Sequence, residues 1–225
     1  MCGRTLISEA KELAAKAGVE LGSENTQRDT NRPPGTQMPV ILDARPGKLH
    51  YIKWGLIPAG STESPKFATT YARIETMHSL PSYRSLIGRR HCVFVIDGFY
   101  EFDKRQTPSQ PYYFQRKDGE TLFLAGFWDT WKDPTKDVVI PSCTMIMQRA
   151  NDFMSQIHDR MPCILSQSEA LVWLDRQATT QKRMSLLSLP ANDLLEGWPV
   201  DKRVNNARNK DEHNNDRNGP QLGLF

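Results

Sequence analysis

The chain opens "MCGR", and Cys2 is the first residue whose position could matter chemically. Initiator methionine is normally removed when the second residue is small, so the mature chain would begin with a thiol and a free α-amine on one residue. The plain alternative is a frayed terminus where the residue type is accidental. Two further stretches carry groups suited to proton transfer. In "DGFYEF", Glu101 stands between aromatics at the end of an apolar run. Desolvation there would raise its pKa toward a range useful for acid–base work; on an edge strand it would simply point to solvent. In "IHDRMP", His158, Asp159 and Arg160 stand together just before a proline that fixes the loop, unless the stretch is only a surface turn in which Arg160 pairs with Asp159. "YARIET" sets Arg73 and Glu75 at alternate positions, an arrangement also met in solvated ion pairs of little energetic value.

Positioning these residues falls to a strand-rich chain. "SEAKELAAKAG" reads as a short helix with Ser8 at its N-cap, Leu13 and Ala17 on one face and Gly18 as its stop. A long loop over 22–39 follows, in which "NRPPGT" fixes the backbone through prolines. "PVILDA" and "LHYIKWGLIP" turn strand-like, the latter alternating in part with period two. "HCVFVIDGFYEF" reads as one buried strand, and "QPYYFQRKDGETLFLAGFWDTW" as a hairpin whose Asp118-Gly119 suits a tight turn. "SCTMIMQRAN" is a further strand, and "SQSEALVWLDRQ" a helix with Ser166 and Glu169 spaced as a capping box. After about Val204 the chain is too polar to bury itself, so 206–225 reads as a flexible tail beyond a single domain at 2–205.

Composition narrows the function classes. The chain has 225 residues, 38% of them hydrophobic, enough for one sizeable core. It holds neither an apolar run of membrane-spanning length nor the basic-then-apolar start of a secretory signal, so a soluble, intracellular, cytoplasmic protein is expected. Cys2, Cys92, Cys143 and Cys163 are widely spaced without a CxxC pair, which points to reduced thiols and to no metal site. The last three lie in or beside apolar runs and read as core thiols. A net charge of +3 permits a nucleic-acid partner without demanding one.

Taken in order, "MCGR", "NRPPGT", "KWGLIP", "ARIET", "DGFYEF", "AGFWDTW" and "IHDRMP" reproduce the motif order of the SRAP family, which the chain resembles over roughly residues 2 to 210. "MCGR" together with "IHDRMP" at this separation is the specific signal. The resemblance implies an α+β fold, a single compact domain around a small irregular β-barrel with flanking helices. It also implies a DNA-repair protein, a monomer without cofactor, that crosslinks itself through Cys2 to abasic sites in single-stranded DNA. An abasic sugar opens to an aldehyde, to which the α-amine adds to give an imine; the Cys2 sulfur then closes a five-membered thiazolidine. By the same resemblance Glu101 would shuttle protons, His158 would assist ring opening and reversal, Asn31 would shape the pocket, and Arg4, Arg73 and Arg160 would meet phosphates.

Three positions depart from the family pattern. Tyr71 stands where an asparagine is common two residues before the equivalent of Arg73, so a phenol replaces a polar contact to the opened sugar. "IPAGSTES" is small and polar where relatives often carry a wedging tryptophan, so base stacking should be weaker. Met147 takes the place of a small hydroxyl residue. Two other activities fit the residues less fully: an N-terminal-cysteine peptidase, which needs an oxyanion hole, and a non-catalytic single-strand-binding module using Arg84, Arg89 and Arg90.

Overall fold

The structure, a computed structural model, describes residues 3–22, 27–65 and 69–223, so Cys2 lies outside the described residues. In chain order the elements are β1 (Arg4–Ile7), α1 (Ala10–Ala17), β2 (Glu20–Leu21), β3 (Asp29–Arg32), β4 (Gln37–Leu42), β5 (Arg45–Trp54), β6 (Tyr71–Arg73), α2 (Pro81–Arg84), β7 (His91–Ile96) and β8 (Gly98–Asp103). The second half supplies β9 (Gln110–Arg116), β10 (Leu122–Lys132), β11 (Val139–Arg149), α3 (Asp152–Ser155), β12 (Arg160–Pro162), β13 (Ile164–Leu165), α4 (Gln167–Leu174), α5 (Thr180–Met184) and β14 (Leu195–Pro199).

The antiparallel run β11-β10-β7-β4-β5 closes on itself, because β5 also pairs in parallel with β11 at Lys53↔Ser142 and Trp54↔Cys143. This is the closed five-stranded barrel. A second sheet, in the order β14-β9-β8-β1-β3, lies beside it. The expected α+β domain around a small irregular barrel is borne out.

The apolar run at 91–103 is two strands, not one. Asp97 divides it, sending β7 into the barrel and β8 into the second sheet. Its carboxylate is held on both oxygens, by the Ser8 N–H at 2.5 Å and Lys16 Nζ at 3.1 Å. Ser8 is therefore not the cap of α1. Glu9 takes that position with no side-chain cap bond, while Gly18 ends the helix with φ 68°, as its place in the sequence implies. The Ser166–Glu169 capping box is present in α4.

The expected hairpin at Asp118-Gly119 is corrected as well. The turn forms, with Gly119 at φ 75° and its N–H bonded to Arg116 O at 3.0 Å. Its two strands part: β9 pairs with β8 and β14, and β10 with β7, β11 and β13. Each strand has its edges filled by other partners, and the turn carries the chain from one sheet to the other.

The barrel core is dense with aromatics, among them the buried Trp54, Phe94, Phe127 and Trp173. Gly126 is required there, since a Cβ would sit 2.6 Å from the Phe94 ring and 2.7 Å from Thr144 O. Cys92, Cys143 and Cys163 are buried free thiols, as expected.

The polar segment after Val204 is laid against the second sheet. Asn214 is fully buried and its amide donates to Thr30 Oγ1 at 3.1 Å and Asn209 O at 3.2 Å. Lys210 reaches Asp29 and Asn31 O, and Leu222 N–H donates to Gly197 O at 2.8 Å. Polar side chains satisfying backbone groups do here what apolar burial does elsewhere.

His91 ties the barrel to acid stability. It is fully buried, stacked on Trp173 with ring centroids 4.1 Å apart, and its Nε2 accepts the Gly88 N–H at 2.9 Å. Burial, reinforced by the Arg183 guanidinium, holds its pKa down at about 3 against an ordinary 6.5. A depressed histidine leaves the unfolded chain binding the extra proton, so its share of stability is intact above pH 6.5 and drains away as pH falls toward 3. Denaturant unfolding of His91→Gln between pH 7 and 4 should therefore show a shallower pH slope than the parent; an equal slope would count against this role.

Candidate active site

Glu101 projects from β8, which antiparallel pairing places between β1 and β9. It is 1% exposed, so the solvent-facing alternative does not hold. Burial pushes its carboxyl above the usual range, and the Phe102 N–H and Lys104 charge only partly offset this. The strand partner of the preceding Tyr100 is Arg4, so the start of β1 runs alongside Glu101.

His158 arrives from the far side of the sequence. The Asn151 side chain caps α3 by accepting the Met154 N–H at 3.0 Å, and His158 N–H bonds Met154 O at 3.0 Å, which fixes the turn. This brings His158 Nε2 to 3.9 Å from Glu101 Oε1, too far for a hydrogen bond but close enough for both to touch one intervening group. Burial, with help from Lys104 and Arg160, lowers the His158 pKa, against the pull of Asp159. Both members of the pair are thus biased toward their neutral forms. Nδ1 of His158 accepts the Arg160 N–H at 3.0 Å, which leaves the ring proton on Nε2, facing Glu101. On protonation, Nδ1 becomes a donor with Asp159 Oδ1 waiting 2.9 Å away.

A clasp sets this spacing. The Arg105 fork binds both oxygens of Asp103 at 2.8 Å and reaches Gln156 O at 2.7 Å. Asp103 stands two residues after Glu101 and Gln156 two before His158, so the clasp joins the two chain segments just beyond the pair. Nothing in the local sequence marks Lys104 or Arg105 as more than turn residues.

The expected binding residues fall in different surroundings. Arg4 is half-buried, with Nη1 donating to Gly3 O at 2.7 Å and the Tyr71 phenol within electrostatic reach. Tyr71 packs edge-on against Trp54, ring centroids 5.9 Å apart. Arg73 ends β6 and is exposed. Glu75 does not pair with it: its Oε1 binds Arg160 Nη1 at 2.5 Å. Asn31 is buried, and its amide donates to the carbonyls of Val204, Asn206 and Asn209, which binds the C-terminal segment to β3. Of the arginines in "SYRSLIGRRH", Arg90 is stacked on Trp128 at 4.5 Å.

Two of the sequence motifs line a single cavity. Gly35, at φ 88°, donates to Trp54 O and Thr36 O accepts the Trp54 N–H, both at 2.8 Å, knitting "NRPPGT" to "KWGLIP". Pro34, Gly35, Trp54 and Gly55 then line a cavity of about 300 Å³, together with Ser64 and Pro65. Among the described residues no group of three His, Cys, Asp or Glu side chains could hold a metal, and no helix is long and apolar enough to cross a membrane.

Residues 1–207 match the family described as SOS response associated peptidase (SRAP). The chain belongs to the SRAP family. All of the motifs that carried the resemblance lie inside that span. This SRAP chain is 30% identical over 217 residues to the abasic site processing protein YoqW of Bacillus subtilis, covering 93% of this chain and 96% of that one. To the abasic site processing protein HMCES of Gallus gallus it is 31% identical over 255 residues, covering 93% and 75%. A crystal structure of a protein from Bacteroides thetaiotaomicron superposes with a TM-score of 0.86 at 21% identity, covering 96% and 99%, a likeness of fold alone. One from Bordetella bronchiseptica gives 0.78 at 26% identity, covering 89% and 100%.

Proposed function

We propose that this SRAP protein processes abasic sites in single-stranded DNA, in DNA repair, by crosslinking itself to them through Cys2. The observation that carries the reading is the buried Glu101 with His158 Nε2 3.9 Å away, on the strand adjoining the start of β1. Cys2 stands two residues before Arg4 in the sequence, a separation that a fully extended chain spans in at most about 7 Å. The names of the relatives point to the same substrate.

In this mechanism His158 helps open the abasic sugar to its C1′ aldehyde. The neutral α-amine of Cys2 adds to C1′, and a proton from Glu101 leaves with the hydroxyl as water, giving the protonated imine. The Glu101 carboxylate then takes the thiol proton and Sγ bonds to C1′, while the C=N electron pair returns to the nitrogen, which keeps its one hydrogen as the ring closes. One water is lost overall. The thiazolidine lacks the iminium that promotes β-elimination, so the strand is protected. His158 serves the reverse path, and Arg4, Arg73 and Arg160 hold flanking phosphates while Asn31 supports the strand beside the pocket.

The test is a denaturing gel of full-length protein with a single-stranded oligonucleotide, intact or carrying one abasic site. A heat-stable shifted band with the abasic strand only is expected. No heat-stable band, with retardation of both strands on a native gel, would leave a non-covalent single-strand binder and overturn the reading.

A further inference from the structure

Arg149 ends β11 directly across from Arg160 of β12, in antiparallel register. Side chains so paired lie on one face with Cβ atoms about 5 Å apart, and two like charges there are destabilising. On the other edge of β11, Met147 pairs in parallel with Arg73, and the Ile74 N–H donates to Met147 O at 2.9 Å. The chain direction therefore carries Glu75 toward Arg149.

One carboxylate serves this group. Glu75 holds Arg160 at 2.5 Å and feels the charge of Arg149; its pKa is low although burial raises it, because hydrogen bonds from its own backbone and from Arg160, with both arginine charges, outweigh that burial. Arg73 and Arg149 are exposed, and neither has an ion pair among the described residues. Asp159, beside Arg160, is turned to His158 Nδ1. Three guanidinium groups against Glu75 and Asp159 leave a surplus of positive charge where β6, β11 and β12 meet, and Arg160 is the residue whose N–H touches His158.

We propose that Arg149 is a further DNA-contacting residue, forming with Arg160 a phosphodiester subsite that Glu75 fills in the DNA-free protein. This rests on the single-strand reading above. A phosphodiester offers two non-bridging oxygens to planar guanidinium forks, and can engage Arg149 as well as Arg160, where Glu75 hydrogen-bonds Arg160. Binding would exchange the Glu75–Arg160 pair for phosphate contacts and relieve the like-charge pair at the same time.

The experiment is fluorescence anisotropy with an undamaged single-stranded oligonucleotide and full-length protein between 50 and 200 mM salt. Arg149→Gln should bind more weakly, with a salt slope shallower by about 0.7, so that its deficit narrows roughly 2.5-fold over this range. Glu75→Gln should bind more tightly than the parent. A parent that binds no single strand would overturn the single-strand reading, and the proposal with it. A parent that binds normally, with an Arg149→Gln curve of the same affinity and salt slope, would overturn the Arg149 assignment alone. Thermal melting of both variants checks the fold; Arg149→Gln removes a repulsion and should melt no lower than the parent.

Discussion

Cys2→Ala should abolish the heat-stable adduct with abasic DNA, and so should any preparation that retains Met1. The alanine variant keeps the amine and can form only an imine, which hydrolyses on heating. Retained Met1 turns the amine of Cys2 into an amide, leaving a thiol with no neighbouring nucleophilic nitrogen. Each loss is complete because a thiazolidine needs both groups on one residue. Intact mass spectrometry of the adduct-forming species decides the matter: active protein with Met1 still attached would refute the mechanism. Single replacement of Cys92, Cys143 or Cys163 should leave the adduct in place, since all three thiols are buried and burial pushes them above their ordinary range.

Glu101→Gln should slow adduct formation by roughly 10²-fold, the size expected for a lost general acid–base group, with single-strand affinity nearly unchanged. Stability should move the opposite way. The folded pKa of Glu101 is raised, so the neutral form fits the fold: its contribution is fully present below the ordinary 4.5 and is lost as pH rises through the raised value. Above that raised value the parent carries a buried carboxylate that the isosteric amide does not, and Glu101→Gln should melt at or above the parent there. A slow variant that also melts lower would indicate that Glu101 holds the fold together and that the rate effect is secondary. An unchanged rate would show that Cys2 reacts unaided.

Local sequence carried the chemistry better than the wiring. Glu101 and His158 are each conspicuous from their neighbours, but their apposition depends on α3 and β8, elements about fifty residues apart. The local ion-pair alternatives, Arg73 with Glu75 and Asp159 with Arg160, fail because Arg160 is the partner of Glu75. Asp159 sits in a bend and Arg160 opens β12, and their side chains part: Asp159 turns to His158 and Arg160 to Glu75. Arg149 drew no notice because strand register, which no local pattern reports, is what sets it against Arg160. The missed division at Asp97 has the same origin, as an apolar run does not say which sheet each half joins.

The barrel's closing seam has a consequence for how the chain folds. Its β4–β5 and β10–β11 pairings link neighbouring strands through short turns, whereas the β5–β11 seam joins two registered pairs some ninety residues apart. Closing a loop that long must be compensated by few contacts, while each hairpin gains many for a small loss of chain freedom. The ring is therefore expected to zip as two local ribbons and to shut last. Amide exchange at Gly55, whose N–H crosses the seam to Cys143 O at 2.9 Å, is the natural clock for that final step.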